Sequence, residues 1–261
     1  MKYKVSGKAI TYFVLRFIVV GFMILEFVER DYYNAFLCVL TLLLFMIPTF
    51  LKKRLNIVLP TPLEYTILFF IFAAEILGEI QKFYLLYPHW DTILHTLNGF
   101  IMAGIGLSMI DILNRSESLH FNMSPVFVCL VAFCFSMTIG VLWEFFEYGM
   151  DRFTDSDMQK DTVRTEIASV NLNPDGENDS VVIDGIGTVT VSGYIDGEKT
   201  NVELSGYLDI GLEDTMGDLF VNFIGALIFT FVGFFYLNGL GRLAKGFIPK
   251  LRRKKEKTNE D

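Results

Sequence analysis

What most constrains this chain is how its apolar residues are arranged. They form six uninterrupted runs of about 20 residues each, and a helix of that length covers the hydrocarbon core of a bilayer. The runs lie near Ala9–Val28, Tyr32–Leu51, Thr61–Ile80, Asp91–Leu113, Ser124–Met150 and Asp214–Asn238. Between them stand helix-stopping or charged breaks: Glu29-Arg30-Asp31, Lys52-Lys53-Arg54 with Pro60 and Pro62, Pro88-His89-Trp90, and Asn114-Arg115-Ser116. Composition alone would not make this point, because 52% hydrophobic residues is ordinary for a soluble domain. The pattern excludes a disordered chain, a disulfide-stapled secreted domain and a typical soluble enzyme. It predicts an all-α integral membrane protein: a six-transmembrane helix bundle with a small extracytoplasmic β-rich insert between the fifth and sixth helices.

Charge orients the bundle. With the N-terminus inside, 15 of the 22 Lys and Arg fall on cytoplasmic segments, which is the bias that sets topology in bilayers. The expected location is therefore a cell membrane, multi-pass, with both termini cytoplasmic. The first run starts basic, but it is about twice a signal-peptide core and no small-x-small site follows it, so it reads as a retained helix. Arg16 is the one base inside a span and is expected to snorkel to the cytoplasmic side or to pair with an acid there such as Glu64 or Asp111. Cys38, Cys129 and Cys134 all fall inside spans and imply no disulfide framework. The basic run Arg252–Lys255 reads as a topology signal and anionic-lipid contact, not as a nucleic-acid site.

Domain organisation follows. Residues 1–161 hold helices one to five, 162–213 the insert, 214–240 helix six, and 241–261 a basic cytoplasmic tail. Residues 151–213 carry 14 Asp and Glu against 4 Lys and Arg. Their periodicity is alternating. Thr188–Ile195 and Thr200–Leu204 flank Asp196-Gly197, a dipeptide suited to a tight hairpin turn, and the whole insert is expected to form one small antiparallel sheet of three to five strands.

The chemistry-bearing residues gather at one depth. Glu75 and Glu79 close the third span. Asp91 and His95 open the fourth, with Asn98 beyond them. Gly140, Glu144, Glu147 and Asp151 make one stripe of the fifth, and Asp214, Asp218 and Asn222 one stripe of the sixth. Charged side chains facing lipid are costly, so these should face one another. Eight carboxylates together need protons or a cation. Asp91, His95, Asp218 and Glu75 are the candidate ligands of a divalent metal ion, and Glu144 and Glu147 the candidate catalytic bases. Small residues on the same faces (Gly99, Gly140, Gly225) would let the helices approach closely.

These residues resemble a known bacterial pattern. Asp91-x-x-x-His95, then Glu147 with Gln159 downstream, then Asp218-x-x-x-Asn222-x-x-Gly225-Ala226 resembles the signature of VanZ-like membrane proteins. Trp143-Glu144-x-x-Glu147, the Asp157–Asp161 segment and the Asp214–Asp218 segment are similar to the YjdF-like group of inner-membrane proteins. The resemblance implies a bacterial inner-membrane protein working near the cell envelope. It brings no established reaction, and it adds Asp157, Gln159 and Asp161 to the site as a segment folded back over it. Three functions stay open: a structural or partner-binding envelope protein, a metal-dependent membrane enzyme acting on a lipid-linked envelope substrate or cell-wall component, and a proton- or cation-coupled transporter.

Overall fold

In the computed structural model, residues 6–54, 57–114, 123–154, 156–240 and 243–251 are described. Capping explains where the first helices begin and end. The Ser6 hydroxyl accepts the Ala9 N–H at the start of α1 (Gly7–Glu29), and Arg30 closes it in the left-handed conformation, φ 64°. Asp31 then caps α2 (Tyr32–Leu44) by accepting the Asn34 N–H at 3.0 Å, satisfying a donor the first turn cannot. A short α3 (Ile47–Arg54) continues the same run. After β1 (Ile57–Val58), α4 (Thr61–Ile71) starts behind Pro60 and passes into nine residues of π-helix, Phe72–Ile80. The brief α5 (Phe83–Leu86) leads to α6 (Trp90–Asn114), α7 (Pro125–Thr154) and, beyond the strands, α8 (Leu212–Leu237).

Five of these stretches are long and apolar enough to cross a membrane: Gly7–Glu29, Tyr32–Arg54, Trp90–Ile110, Pro125–Thr154 and Leu212–Leu237. The expected third run, Thr61–Ile80, is helical throughout. It is not one of the five, because its α-helical part stops at Ile71 and the hydrogen bonding widens from there.

By internal packing the chain divides into two units: Met1–Gly140 with Asp218–Asp261, and Val141–Gly217. In the first, Leu15 and Val19 of α1, Leu37, Cys38 and Phe45 from the second run, and Leu68, Ile71, Ile76 and Ile80 form one core cluster. A second joins Ala103 and Leu107 of α6, Val128 and Ala132 of α7, Ala226 and Phe229 of α8, and Ile248. The outward faces are apolar as well: Phe13, Phe17, Phe36, Phe220 and Phe231 are all more than half exposed. A water-soluble domain would not leave so much aromatic surface bare, whereas a helix facing lipid does.

Residues Leu243–Leu251, at the start of the expected basic tail, pack against the helices. Ile248 is buried, the Phe247 ring packs edge-on to Phe100, and β8 (Lys250–Leu251) pairs antiparallel with β1. Arg16 does not reach Glu64. Lys8 and the Tyr12 hydroxyl take that carboxylate, while the Arg16 guanidinium donates to the Phe45 carbonyl at 3.4 Å and lies over the Tyr12 ring. Asp111's side chain lies outside the described residues.

Among its described residues the second unit holds six strands: β2 (Thr162–Arg164), β3 (Ile167–Ser169), β4 (Val181–Ile183), β5 (Val189–Ile195), β6 (Glu198–Leu204) and β7 (Tyr207–Asp209). They make three separate antiparallel pairs, β2 with β7, β3 with β4 and β5 with β6, rather than the single sheet expected. Asp196-Gly197 joins the two seven-residue strands of the β5–β6 hairpin as the sequence predicts, with both residues at positive φ. The other strands are three residues long, too short to recruit further neighbours.

Candidate functional site

In the first unit the site grows from the N-terminal turns of α6 and the second turn of α8. Asp91 and His95 are one turn apart on α6, so their side chains stack on one face. The His95 Nε2 lies 3.4 Å from Asp91 Oδ1 and 3.8 Å from Asp218 Oδ2. The ligand atoms of all three fall within 4.8 Å of one another. His95 and Asp218 are buried, at 8% and 6% exposure, and Asp91 is half-buried. Both nitrogen–oxygen separations exceed a hydrogen-bond length of about 2.7–3.2 Å. They are close to the roughly 3.3 Å edge of a tetrahedron with 2.0–2.1 Å metal–ligand bonds.

The charges of this group are compatible with a bound cation. Two carboxylates at the edge of a low-dielectric region are expensive unless balanced, and Arg16 is engaged on α1. The positive end of the α6 dipole helps Asp91, which stands in its first turn. A divalent ion with a neutral imidazole would bring the group to zero net charge.

One turn deeper, Asn98 Nδ2 donates to Asn222 Oδ1 at 3.1 Å. The Asn222 amide is fully buried, with its Nδ2 3.6 Å from the Met137 sulfur. Gly140 makes room for it, since a Cβ there would stand 2.7 Å from Asn222 Nδ2. Ser136 donates to the Gly99 carbonyl at 2.8 Å. A Cβ at Gly99 would meet the Asn222 carbonyl oxygen, and one at Gly225 the Thr96 carbonyl oxygen. The glycines thus bring α6 and α8 almost backbone to backbone, which is what sets His95 opposite Asp218.

Not every expected residue joins. Glu75 is half-buried on the π-helix beside Glu79 and near Tyr33, and it is not in the metal-compatible trio. Glu79 is exposed.

The second unit places its own candidates. Glu144 and Glu147 are both buried, one turn apart on α7, with the Trp143 indole N–H donating to Glu147 Oε1 at 2.8 Å. They remain candidate bases. Asp151 instead holds the turn after α7, accepting from the Met158 N–H (2.6 Å), the Gln159 N–H (2.8 Å) and the Ser156 hydroxyl (2.9 Å). Asp214 accepts the Lys160 N–H at 2.7 Å, and the Gln159 amide donates to Thr215. Asp151, Gln159 and Asp214 therefore stitch residues 156–160 to the end of α7 and the start of α8. Asp157 and Asp161 are exposed. The Asp161 carboxyl sits above the usual carboxylate range, raised first by partial burial and then by Asp157, Asp209 and Asp151, with Lys160 pulling the other way.

Sequence reasoning passed over Asp209, whose carboxylate accepts the Leu212 and Glu213 N–H groups at 3.0 and 2.8 Å and so caps α8. An Asp just ahead of a long apolar run was the available signal. It also passed over Lys8 and Tyr12 as the partners of Glu64, because bases near a terminus read as topology signals.

No curated protein and no solved structure matches this chain. Residues 10–239 match the model of a family described as Predicted membrane protein (DUF2238), and the chain belongs to that family of membrane proteins.

Proposed function

We propose that this protein holds a divalent metal ion between Asp91, His95 and Asp218, and uses it for chemistry on a lipid-linked substrate at the outer face of the bacterial inner membrane. In this reading it crosses the bilayer six times, Thr61–Ile80 included, with both termini cytoplasmic and residues 162–213 outside. The observation that carries the reading is the trio itself: an imidazole and two carboxylates from two helices, with ligand atoms within 4.8 Å of one another. Three protein ligands leave at least one coordination position for water or a substrate oxygen, the arrangement of a catalytic rather than a purely structural site. The mixed oxygen and nitrogen set suits Zn, Mn or Fe better than an ion that prefers thiolate. The half-buried Asp91 marks the side from which substrate would enter.

A second reading, in which the polar residues hold the bundle together while the strands recruit an envelope partner, draws support from the Asn98–Asn222 hydrogen bond and the Gly99 and Gly225 contacts. Transport has less support. Deeper along α6 and α8 the hydroxyls of Ser108 and Thr230 donate to carbonyls of their own helices, which offers no relay.

Elemental analysis of detergent-purified protein separates the first two readings. Wild type should carry about one divalent ion per chain, while His95→Ala and Asp218→Asn should lose it and remain folded and monodisperse. Protein that binds no ion after incubation with Zn, Mn and Fe, and whose variants lose only thermal stability, would leave the structural reading standing.

A further inference from the structure

The hairpin of α1 and α2 carries a groove of about 530 Å³ with almost wholly apolar walls. Met23, Phe27 and Val28 of α1 line one side, and Tyr32, Phe36 and Val39 of α2 the other. The volume is in the range of small-ligand sites. Both walls belong to helices that are apolar enough to span a membrane, so the medium around the groove is hydrocarbon. At its end the chain turns through Glu29-Arg30-Asp31, and Arg30 stands two residues from Val28 and two from Tyr32, one on each wall. The corner is fixed in shape. Arg30 is held at φ 64°, its N–H points back to the Glu26 and Phe27 carbonyls, and Asp31 is tied to Asn34. The Phe27 and Tyr32 rings meet edge to face at 5.7 Å across the same turn.

We propose that this groove is a binding site for one acyl chain of an ethanolamine phospholipid, whose headgroup docks on the Glu29–Arg30–Asp31 corner. The argument is charge complementarity placed at the end of an apolar slot. A guanidinium recognises a phosphate with two parallel hydrogen bonds. The carboxylates on either side match an ammonium and repel a second negative charge. A zwitterionic head answers both Arg30 and Glu29, while Asp31 is already held by Asn34 and adds only its charge; an anionic glycerol head answers Arg30 alone. The inference is independent of the metal site, which is built on α6 and α8.

The test is lipid retention. Wild-type protein is reconstituted in vesicles of equal parts phosphatidylethanolamine and phosphatidylglycerol, re-extracted in mild detergent, and its bound lipid identified by native mass spectrometry. The ratio of phosphatidylethanolamine to phosphatidylglycerol among bound lipids should exceed the bulk ratio several-fold. Val39→Trp, which fills the groove from an exposed wall, should abolish retention. Arg30→Gln leaves the walls intact and should retain lipid while losing the preference. Retention in bulk proportion by wild type, or equal retention by Val39→Trp, would overturn the proposal. So would a wild-type dimer that Val39→Trp converts to monomer, since the occupant would then be a second copy. Thermal melts of both variants beside wild type exclude loss through misfolding.

Discussion

At Gly99 and Gly225 one carbon atom decides whether α6 and α8 can pair. Each would place a Cβ against a carbonyl oxygen of the facing helix, and a carbonyl cannot swing aside as a side chain can. Gly225→Ala should therefore force the helices apart and cost about 1–3 kcal/mol, the usual penalty of overpacking. It should also weaken metal retention, because His95 and Asp218 meet across the same contact. Gly21 supplies the control: it lies within α1, and a Cβ there meets nothing within 4 Å, so Gly21→Ala should be neutral or stabilise by up to about 1 kcal/mol. Thermal melts in detergent compare the two; equal losses would mean that the glycine contact does not control the pairing. The sequence announced these glycines through their spacing on the same stripes as the acids. It also supplied Asp91, His95 and Asp218, because helical periodicity and the cost of charge in lipid point the same way. It could not separate Glu75 from them, since depth along a span is readable from residue counting but the direction a side chain faces is not.

Elements were legible where one period dominates. The five long helices follow from unbroken apolar runs, and the β5–β6 hairpin from alternation around Asp196-Gly197. The π-helix after Ile71 was not readable, because widening from α to π leaves composition unchanged and depends on local packing. A Cβ at Gly78 would run into the Tyr84 ring, and the Trp90 indole N–H donates to the Ala73 carbonyl at 3.3 Å; both are tertiary contacts. The start of α8 rests on Asp209, which takes two of its otherwise unsatisfied N–H groups. Asp209→Ala should cost about 1–2 kcal/mol and raise amide exchange over Leu212–Thr215, while the β5–β6 hairpin stays protected. Exchange unchanged at α8 would show that the cap is dispensable. The paired strands β2 and β7 have a pH dependence of definite sign. The Asp161 carboxyl has its pKa raised in the folded state, by partial burial first and by neighbouring acids second. Its folded form thus favours the bound proton, and stability falls as pH rises through that raised pKa. Asp161→Asn should remove the fall, so exchange at Thr162–Arg164 should become less sensitive to pH between acid and neutral conditions. An unaltered pH profile in the variant would place the dependence on another group.

On the scale of the whole molecule, contacts within the first unit give the bundle two distinct ends. Lys8 meets Glu64 at one, where β1 and β8 also pair, so the start of α1, the link before α4 and residues 250–251 share a side. The starts of α6 and α8 share the other, with Asp91, His95 and Asp218. In the proposed orientation the first end, which holds Lys52, Lys53 and Arg54, faces the cytoplasm, because positive loops resist translocation. The acidic segment 151–213 carries no such retention signal. A single cysteine at Arg54→Cys, in a background with Cys38, Cys129 and Cys134 replaced by alanine, should react with an impermeant maleimide only after the cells are permeabilised. One at Asp196→Cys, on the turn of the hairpin, should react in intact cells. The opposite pattern would put the metal-compatible trio at the cytoplasmic face, where its substrate would have to be a cytoplasmic lipid precursor and not an exported one. Reversed orientation would leave the Asp91–His95–Asp218 geometry and the proposed ion binding untouched, so maleimide labelling and elemental analysis together separate what the site binds from which compartment it serves.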